Sequence, residues 1–244
     1  MLNSFEEPVD ALVVGASGGI GGAFVEHLLA DKRVKSVRAW SRSGLAKSHA
    51  KLQTRWLDVG NESELREASG EVDRLTLVLI ATGVLHGPDG MVPEKSWKSI
   101  DPVVMIESFR VNAILPTMIL KHLIPRVPRK ERALLCALSA RVGSISDNRL
   151  GGWHSYRASK AALNQIIQSV SIELKRTHPE ALCIGLHPGT VDTDLSAPFR
   201  KSLAGGHQLF SPSQSAEHLL KVMDAAKPAD SGALIAWDGT KIDP

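Results

Sequence analysis

Short apolar runs alternate with amphipathic stretches along the whole chain. Ala11–Val14, Val37–Trp40, Thr54–Leu57, Leu75–Ala81, Ala133–Ser139, Leu182–His187 and Ala233–Ala236 are continuous or nearly continuous in apolar residues. Such runs, rather than strict alternation, mark strands covered on both faces, as in a parallel sheet. Between them the spacing predicts helices at roughly 19–30, 62–68, 102–126, 155–176 and 213–225. Regular alternation of strand and helix predicts an α/β fold. The expected architecture is a doubly wound parallel sheet of about seven strands, flanked by helices as a three-layer sandwich. No repeat, low-complexity tract or linker interrupts the pattern, so 1–244 reads as a single domain. Two longer irregular segments, 84–100 and 190–211, each follow a strand and are rich in Gly, Pro, Ser and His. Loops after the C-terminal ends of parallel strands build the ligand crevice, which makes these segments candidate substrate walls.

The first strand runs into Val14-Gly-Ala-Ser-Gly-Gly-Ile-Gly-Gly22, and a helix follows. Glycine permits a tight turn and a backbone that approaches a pyrophosphate closely, while the helix N-terminus favours the anion. A glycine-rich turn gains specificity from lying between a first strand and a first helix. The residues read as its cofactor contacts are Gly15, Ser17, Gly18, Gly19, Ile20 and Gly21, with glycines spaced G-x-x-x-G-x-G. No G-x-x-x-x-G-K-[ST] occurs, which argues against a nucleotide triphosphatase. After the second strand comes Trp40-Ser-Arg-Ser43. An acid here would accept from ribose hydroxyls and repel a 2′-phosphate. Arg42 between Ser41 and Ser43 suits a phosphate instead, favouring NADP(H) over NAD(H); the competing reading is a solvated loop arginine.

In Ser155-Tyr-Arg-Ala-Ser-Lys160 a tyrosine precedes a lysine by one helical turn, and Tyr156 is the only tyrosine in the chain. A phenol near pKa 10 is a poor proton shuttle at neutral pH, and a neighbouring ammonium, together with the positive nicotinamide of an oxidised cofactor, would favour the phenolate. In an arbitrary helix the same spacing describes an exposed pair of no chemical significance.

Taken in order, these elements resemble the short-chain dehydrogenase/reductase family over nearly the whole chain. The matching residues are the glycine turn, Asp58, Ala81-Thr-Gly83, Asn112, Tyr156-x-x-x-Lys160 and Pro188-Gly-Thr-Val-Asp-Thr193. Gly143 to Lys160 is most similar to the branch holding C-factor signalling proteins and sniffer-type carbonyl reductases. The resemblance implies a Rossmann-type sheet whose 1–100 half mainly binds the dinucleotide and whose 101–244 half supplies catalysis and substrate contacts. It implies hydride exchange between a nicotinamide cofactor and a ketone or aldehyde. Tyr156 would be the general acid/base, Lys160 would hold the nicotinamide ribose, and Asn112 would hold a water that passes protons. Asp58, Val59, Ala81, Thr82, Gly83, Pro188, Gly189, Val191 and Thr193 would join the cofactor contacts. Homodimers or homotetramers through the helices at 102–126 and 155–176 would follow.

The serine position departs from the family pattern. The serine that polarises the carbonyl normally stands three residues before a glycine, whereas Leu138-Ser-Ala-Arg-Val-Gly143 puts Ala140 in that slot and Ser139 four residues before Gly143. A one-residue shift in a strand turns a side chain to the opposite face. Three outcomes stay open: Ser139 reaches the site by an irregular exit, another donor such as Ser144 substitutes, or catalysis is weakened. Ala81 and Thr82 also stand where the family has asparagine and alanine, and Val14 where it has threonine.

Composition changes this picture little. Excess positive charge amounts to +3, from 29 basic and 26 acidic residues spread along the chain, so no nucleic-acid surface is expected. Arg126-Val-Pro-Arg-Lys-Glu-Arg132 reads as a solvated helix exit. Cys136 and Cys183 lie in apolar runs and read as free buried thiols of a reducing compartment. No leader and no apolar run of about 18 residues suggests export or a membrane span, and a cytoplasmic protein is expected. His86, His154, His187 and His207 lack metal-ligand spacing, and His187 is expected to satisfy a strand end. Trp153 and His154 are candidates either to line the cleft or to pack the scaffold. Two functions remain: an NADP(H)-dependent oxidoreductase, or a dinucleotide-binding signalling or regulatory protein with weak turnover.

Overall fold

The computed structural model describes residues 2–87, 90–198 and 208–244. Within them the strands are β1 (Val9–Val14), β2 (Val34–Ser41), β3 (Leu52–Trp56), β4 (Leu77–Ile80), β5 (Ala133–Leu138), β6 (Ala181–His187), β7 (Thr190–Val191), β8 (Leu209–Phe210), β9 (Leu234–Ala236) and β10 (Lys241–Ile242), and the seven apolar runs supply all but β7, β8 and β10. Eight of them form one sheet in the order β10-β9-β6-β5-β4-β1-β2-β3, parallel except for the β9–β10 pair. The chain moves outward from β1 to β3 and then returns to the other side of β1 at β4. That reversal opens a crevice at the C-terminal ends of β1 and β4, where such sheets bind ligands. The sheet has one strand more than expected. β10 is only two residues long, too short to leave a period in the sequence. A separate ladder pairs Thr190 with Leu209 and Val191 with Phe210.

Alternate residues of the apolar strands feed two cores. Ala11 and Val13 of β1 face one side with Phe24, Leu28, Leu219 and Met223, while Leu12 and Val14 face the other with Leu65, Ile119, Leu163 and Ile167. The first core is capped by α1 (Gly19–Ala30) and the late helix α6 (Pro212–Ala225). The second is capped by α2 (Glu62–Gly70), the helix around 102–126, and α5 (His154–Thr177). Burying each such Leu, Val or Phe contributes roughly 1.5–3 kcal/mol, so both faces drive the three-layer arrangement.

The helix around 102–126 is not uniform. It begins as α3 (Pro102–Phe109), with the Asp101 side chain accepting from Val103 N and Val104 N. It widens to a π turn over Arg110–Ile114, where Leu115 N donates to Arg110 O, and continues as α4 (Leu115–Leu123). Pro116 explains the widening: it has no N–H for the carbonyl of Asn112, and its ring crowds that carbonyl. Pro102–Arg126 is long and apolar enough to cross a membrane by length and composition. Here its Ile119, Leu120 and Leu123 pack onto the sheet. Beyond it, Arg132 is less solvated than expected: it donates to Ser4 Oγ and to the carbonyls of Met223 and Ala226.

Candidate active site

The glycine turn is braced from below, where Gly15 N and Ala16 N both donate to Trp40 O at 2.9 and 3.1 Å. Gly18 caps α1 without a side-chain bond, leaving the first-turn N–H groups to whatever anion the crevice receives. At Gly21 a Cβ would run into Gly15 O, so a larger residue would separate helix from strand. Across the turn, Thr193 Cγ2 stands 2.8 Å from where a Cβ on Gly19 would be. The strand ends beside the turn carry two buried hydroxyls, Ser41 Oγ and Thr82 Oγ1, that have no hydrogen-bond partner among the described residues. Orphaned buried hydroxyls are rare in native folds. Together with the glycine cradle, they fit a ligand bearing hydroxyl and phosphate groups, as a dinucleotide does.

Arg42 and Ser43 are exposed at the end of β2. Glu107 of α3 and Arg110 of the π turn join them: a hydrogen bond from Arg110, then the charges of Arg110 and Arg42, hold the Glu107 carboxyl below its ordinary range. Asp58 Oδ1 accepts from Gly60 N at 2.9 Å, and Val59 is buried. Ala81 N donates to Val14 O at 2.8 Å, tying the start of the Ala81–Gly83 segment to β1.

The π turn aims Asn112 into the centre of the site. Asn112 is fully buried; its Oδ1 accepts from Val84 N at 2.8 Å, and its Nδ2 donates to Val84 O at 2.9 Å and Ser159 Oγ at 3.1 Å. Ser159 in turn donates to Tyr156 O at 2.9 Å. A Cβ on Gly83 would lie 3.5 Å from Asn112 Oδ1 and 3.7 Å from Lys160 Nζ, so β4, the π turn and α5 converge on one point. Lys160 is 3% exposed and its ammonium donates to Leu138 O at 2.8 Å. The reading of Tyr156 and Lys160 as a solvated surface pair is therefore excluded.

Burial acts on both groups in opposite directions. Burial pushes the Tyr156 phenol up to about 12 and the Lys160 ammonium down to about 8. The Lys160 nitrogen sits 5.9 Å from the Tyr156 ring centroid and is turned to the Leu138 carbonyl. Desolvation disfavours the charged form of each group.

Ser139 is the member of the expected set whose hydroxyl is engaged elsewhere. It is buried at the exit of β5, and its Oγ donates to Asn164 Oδ1 at 2.6 Å. Ala140 follows in an extended conformation, φ −151° and ψ 145°, so its side chain faces away from that of Ser139. Ser144 is buried, with Oγ accepting from Asp147 N at 3.1 Å and sharing a 3.3 Å hydrogen bond with Ser146 Oγ.

The 188–193 segment is braced as a ledge. Pro188 O accepts from Ser215 Oγ at 2.9 Å, Gly189 abuts Phe210, and Val191 is buried with its carbonyl accepting from Ser196 Oγ at 2.6 Å. His86 Nε2 meets Asp194 O at 3.0 Å and links the two long loops. Burial and the Arg141 charge lower His187 to about 4, and its buried Nδ1 has no partner, so it does not satisfy the strand end through that atom. Among the described residues no group of His, Cys, Asp or Glu could hold a metal. Both cysteines are free and buried. His207 and part of the 190–211 loop lie outside the described residues.

Sequence reasoning missed three residues at this site. Ser159 links Asn112 to α5, Asn164 holds Ser139, and Glu94 caps α5 from within the 84–100 loop. Only Ser159, which stands beside Lys160, was within sight of a motif.

Comparison with known proteins agrees with this geometry. Residues 10–204 match the family described as short chain dehydrogenase. An uncharacterized oxidoreductase of Schizosaccharomyces pombe is 27% identical over 253 aligned positions, covering 94% of this chain and 96% of the relative. The C-signal protein of Myxococcus xanthus is 30% identical over 171 positions, 66% of this chain and 96% of the relative. The carbonyl reductase Sniffer of Drosophila melanogaster superposes with a TM-score of 0.83 at 21% identity, covering 98% and 100% of the two chains. An NADPH-bound carbonyl reductase from chicken fatty liver superposes with a TM-score of 0.81 at 26% identity, with the same coverage. A matched family over most of the chain, a glycine cradle at the sheet's switch point and a half-buried Tyr156 beside buried Lys160 and Asn112 lead to one conclusion: the chain belongs to the short-chain dehydrogenase family and is one of its oxidoreductases.

Proposed function

We propose that the protein is an NADP(H)-dependent carbonyl reductase, interconverting a ketone or aldehyde and its alcohol. The observation that carries this reading is the convergence of Gly83, Asn112 and Lys160 beside Tyr156 at the crevice mouth. The cofactor would supply or accept the hydride. Gly15, Ser17, Gly18, Gly19, Ile20 and Gly21 would hold its pyrophosphate, with Ser41, Arg42, Ser43, Asp58, Val59, Ala81, Thr82 and Gly83 along the adenosine half. Pro188, Gly189, Val191 and Thr193 would form the nicotinamide ledge. The NADPH-bound avian relative supports the phosphorylated cofactor, as does the absence of an acid in Trp40-Ser-Arg-Ser43.

Tyr156 donates its phenolic proton to the carbonyl oxygen as negative charge develops there, and takes it back in the reverse direction. A phenol near 12 stays protonated at neutral pH, which suits the reducing direction. Lys160, lowered to about 8, still carries its proton at pH 7 and stabilises the phenolate left behind. Asn112 fixes the π turn against α5 through Ser159, keeping the proton path in register with Tyr156.

The 1–244 chain acts as one unit, with 1–100 mainly binding cofactor and 101–244 supplying the chemistry. Val103, Ile106 and Ile114, and Ile172 of α5, are exposed apolar side chains on the helices at 102–126 and 155–176, which supports a homodimer or homotetramer through these helices. The two buried thiols suit the cytoplasm.

A second reading, a dinucleotide-binding signalling protein with weak turnover, is favoured by Ser139 being held by Asn164 while Ala140 occupies the family's serine slot. Assaying NADPH absorbance against a panel of ketones and aldehydes separates the two. Turnover on any of them supports the reductase. Tight NADPH binding with no turnover on all of them favours the regulator.

A further inference from the structure

Glu94 lies in the 84–100 segment, far in sequence from α5, yet it is 4% exposed and seated at the start of that helix. Both of its carboxylate oxygens accept from Ser155 N, at 3.3 and 3.2 Å, and Oε1 also accepts from Ser155 Oγ. Its backbone carbonyl accepts from Trp153 N. A carboxylate at a helix N-terminus accepts from groups that the first turn leaves unpaired, as Glu94 does from Ser155.

The residues it holds are unusual. Gly151, Gly152 and Trp153 run consecutively through the left-handed region, at φ 63°, 63° and 52°, and Trp153 is the only non-glycine at positive φ among the described residues. A bulky side chain there persists only when its surroundings hold it. The strained tryptophan packs edge-on against Tyr156, ring centroids 6.2 Å apart. A Cβ on Gly152 would sit 3.2 Å from Glu94 O, so the glycine is what lets the two segments approach.

We propose that Glu94 is a positioning residue: its backbone carbonyl holds Trp153 and its carboxylate holds Ser155, and together they set the placement of Tyr156 and couple the 84–100 substrate wall to α5. This rests on the proposed acid–base role of Tyr156 for its effect on turnover, while the clamp itself is a mechanical feature that can be read separately. It assigns the 84–100 loop a part in catalysis besides lining the cleft: movement of that wall moves the proton donor.

The test compares wild type, Glu94→Ala and Glu94→Gln by amide hydrogen exchange and steady-state kinetics. Glu94→Ala is expected to raise exchange about tenfold or more in both 90–100 and 153–160 while leaving 9–41 unchanged. It should lower kcat about tenfold with the NADPH KM within about twofold, because misplacement acts on the reaction rather than on the cofactor. Glu94→Gln keeps an acceptor for Ser155 and should restore exchange and kcat to within about threefold of wild type. Exchange at 153–160 unchanged in Glu94→Ala, exchange raised throughout the chain, or no rescue by glutamine would each overturn the clamp. Wild-type turnover with undiminished kcat in Glu94→Ala would overturn its catalytic consequence. A wild type with no turnover would count against the proposed reaction, and the exchange pattern alone would then decide the clamp.

Discussion

Ser139 Oγ donates to Asn164 Oδ1 at 2.6 Å, and Asn164 lies roughly two helical turns beyond Tyr156 on α5. The hydroxyl expected to polarise a substrate carbonyl instead ties β5 to α5. Ser139→Ala should lower stability by about 1 kcal/mol, since Asn164 is only partly buried and water can replace part of the bond. Carbonyl reduction should stay within about threefold of wild type. Chemical denaturation and steady-state assays on one preparation check both; a kcat loss of about a hundredfold with unchanged stability would return Ser139 to the chemistry.

Arg42 is the discriminating group for the cofactor's 2′-phosphate on the proposed reading. Arg42→Asp replaces a phosphate partner by a charge that repels one. The NADPH KM should rise at least about tenfold while the NADH KM stays level or falls. Equal changes for both cofactors would remove Arg42 from the phosphate site.

His187 predicts a pH dependence of stability. Its folded value of about 4 lies below its ordinary 6.5, so between those limits the unfolded chain binds more protons than the folded one. Stability therefore rises with pH across that window and is lost as pH falls from 6.5 toward 4. The contribution is about 2 kcal/mol after allowing for partial exposure of the ring. Thermal unfolding of His187→Asn against wild type from pH 4 to 7 should show a flatter slope in the variant; parallel slopes would contradict the assignment.

Much of this was legible in the sequence for physical reasons. β1, β4, β5 and β6 are covered on both faces, so their runs stand out whatever lies beyond them. The glycine turn and the Tyr156–Lys160 pair are local, with short spacing set by one turn and one helix. Ser139 announced its departure through a single residue of spacing against Gly143. Three features stayed hidden. β10 has two residues and no period. The π turn at Asn112 follows from Pro116, a signal that was visible but needed the helix around it. Glu94 acts through a contact 61 residues away, and an acid in an irregular loop carries no pattern of its own. The burial that shifts Tyr156 and Lys160 was also out of reach, because it depends on elements far from them in sequence.

The proposed role of Tyr156 is tested most directly by Tyr156→Phe, which keeps the ring that packs on Trp153 and removes only the hydroxyl. NADPH binding and carbonyl reduction should be measured on the same sample beside wild type. The expected result is an NADPH dissociation constant within about twofold of wild type and turnover lower by about a thousandfold. Turnover within tenfold of wild type, with NADPH still bound, would contradict it.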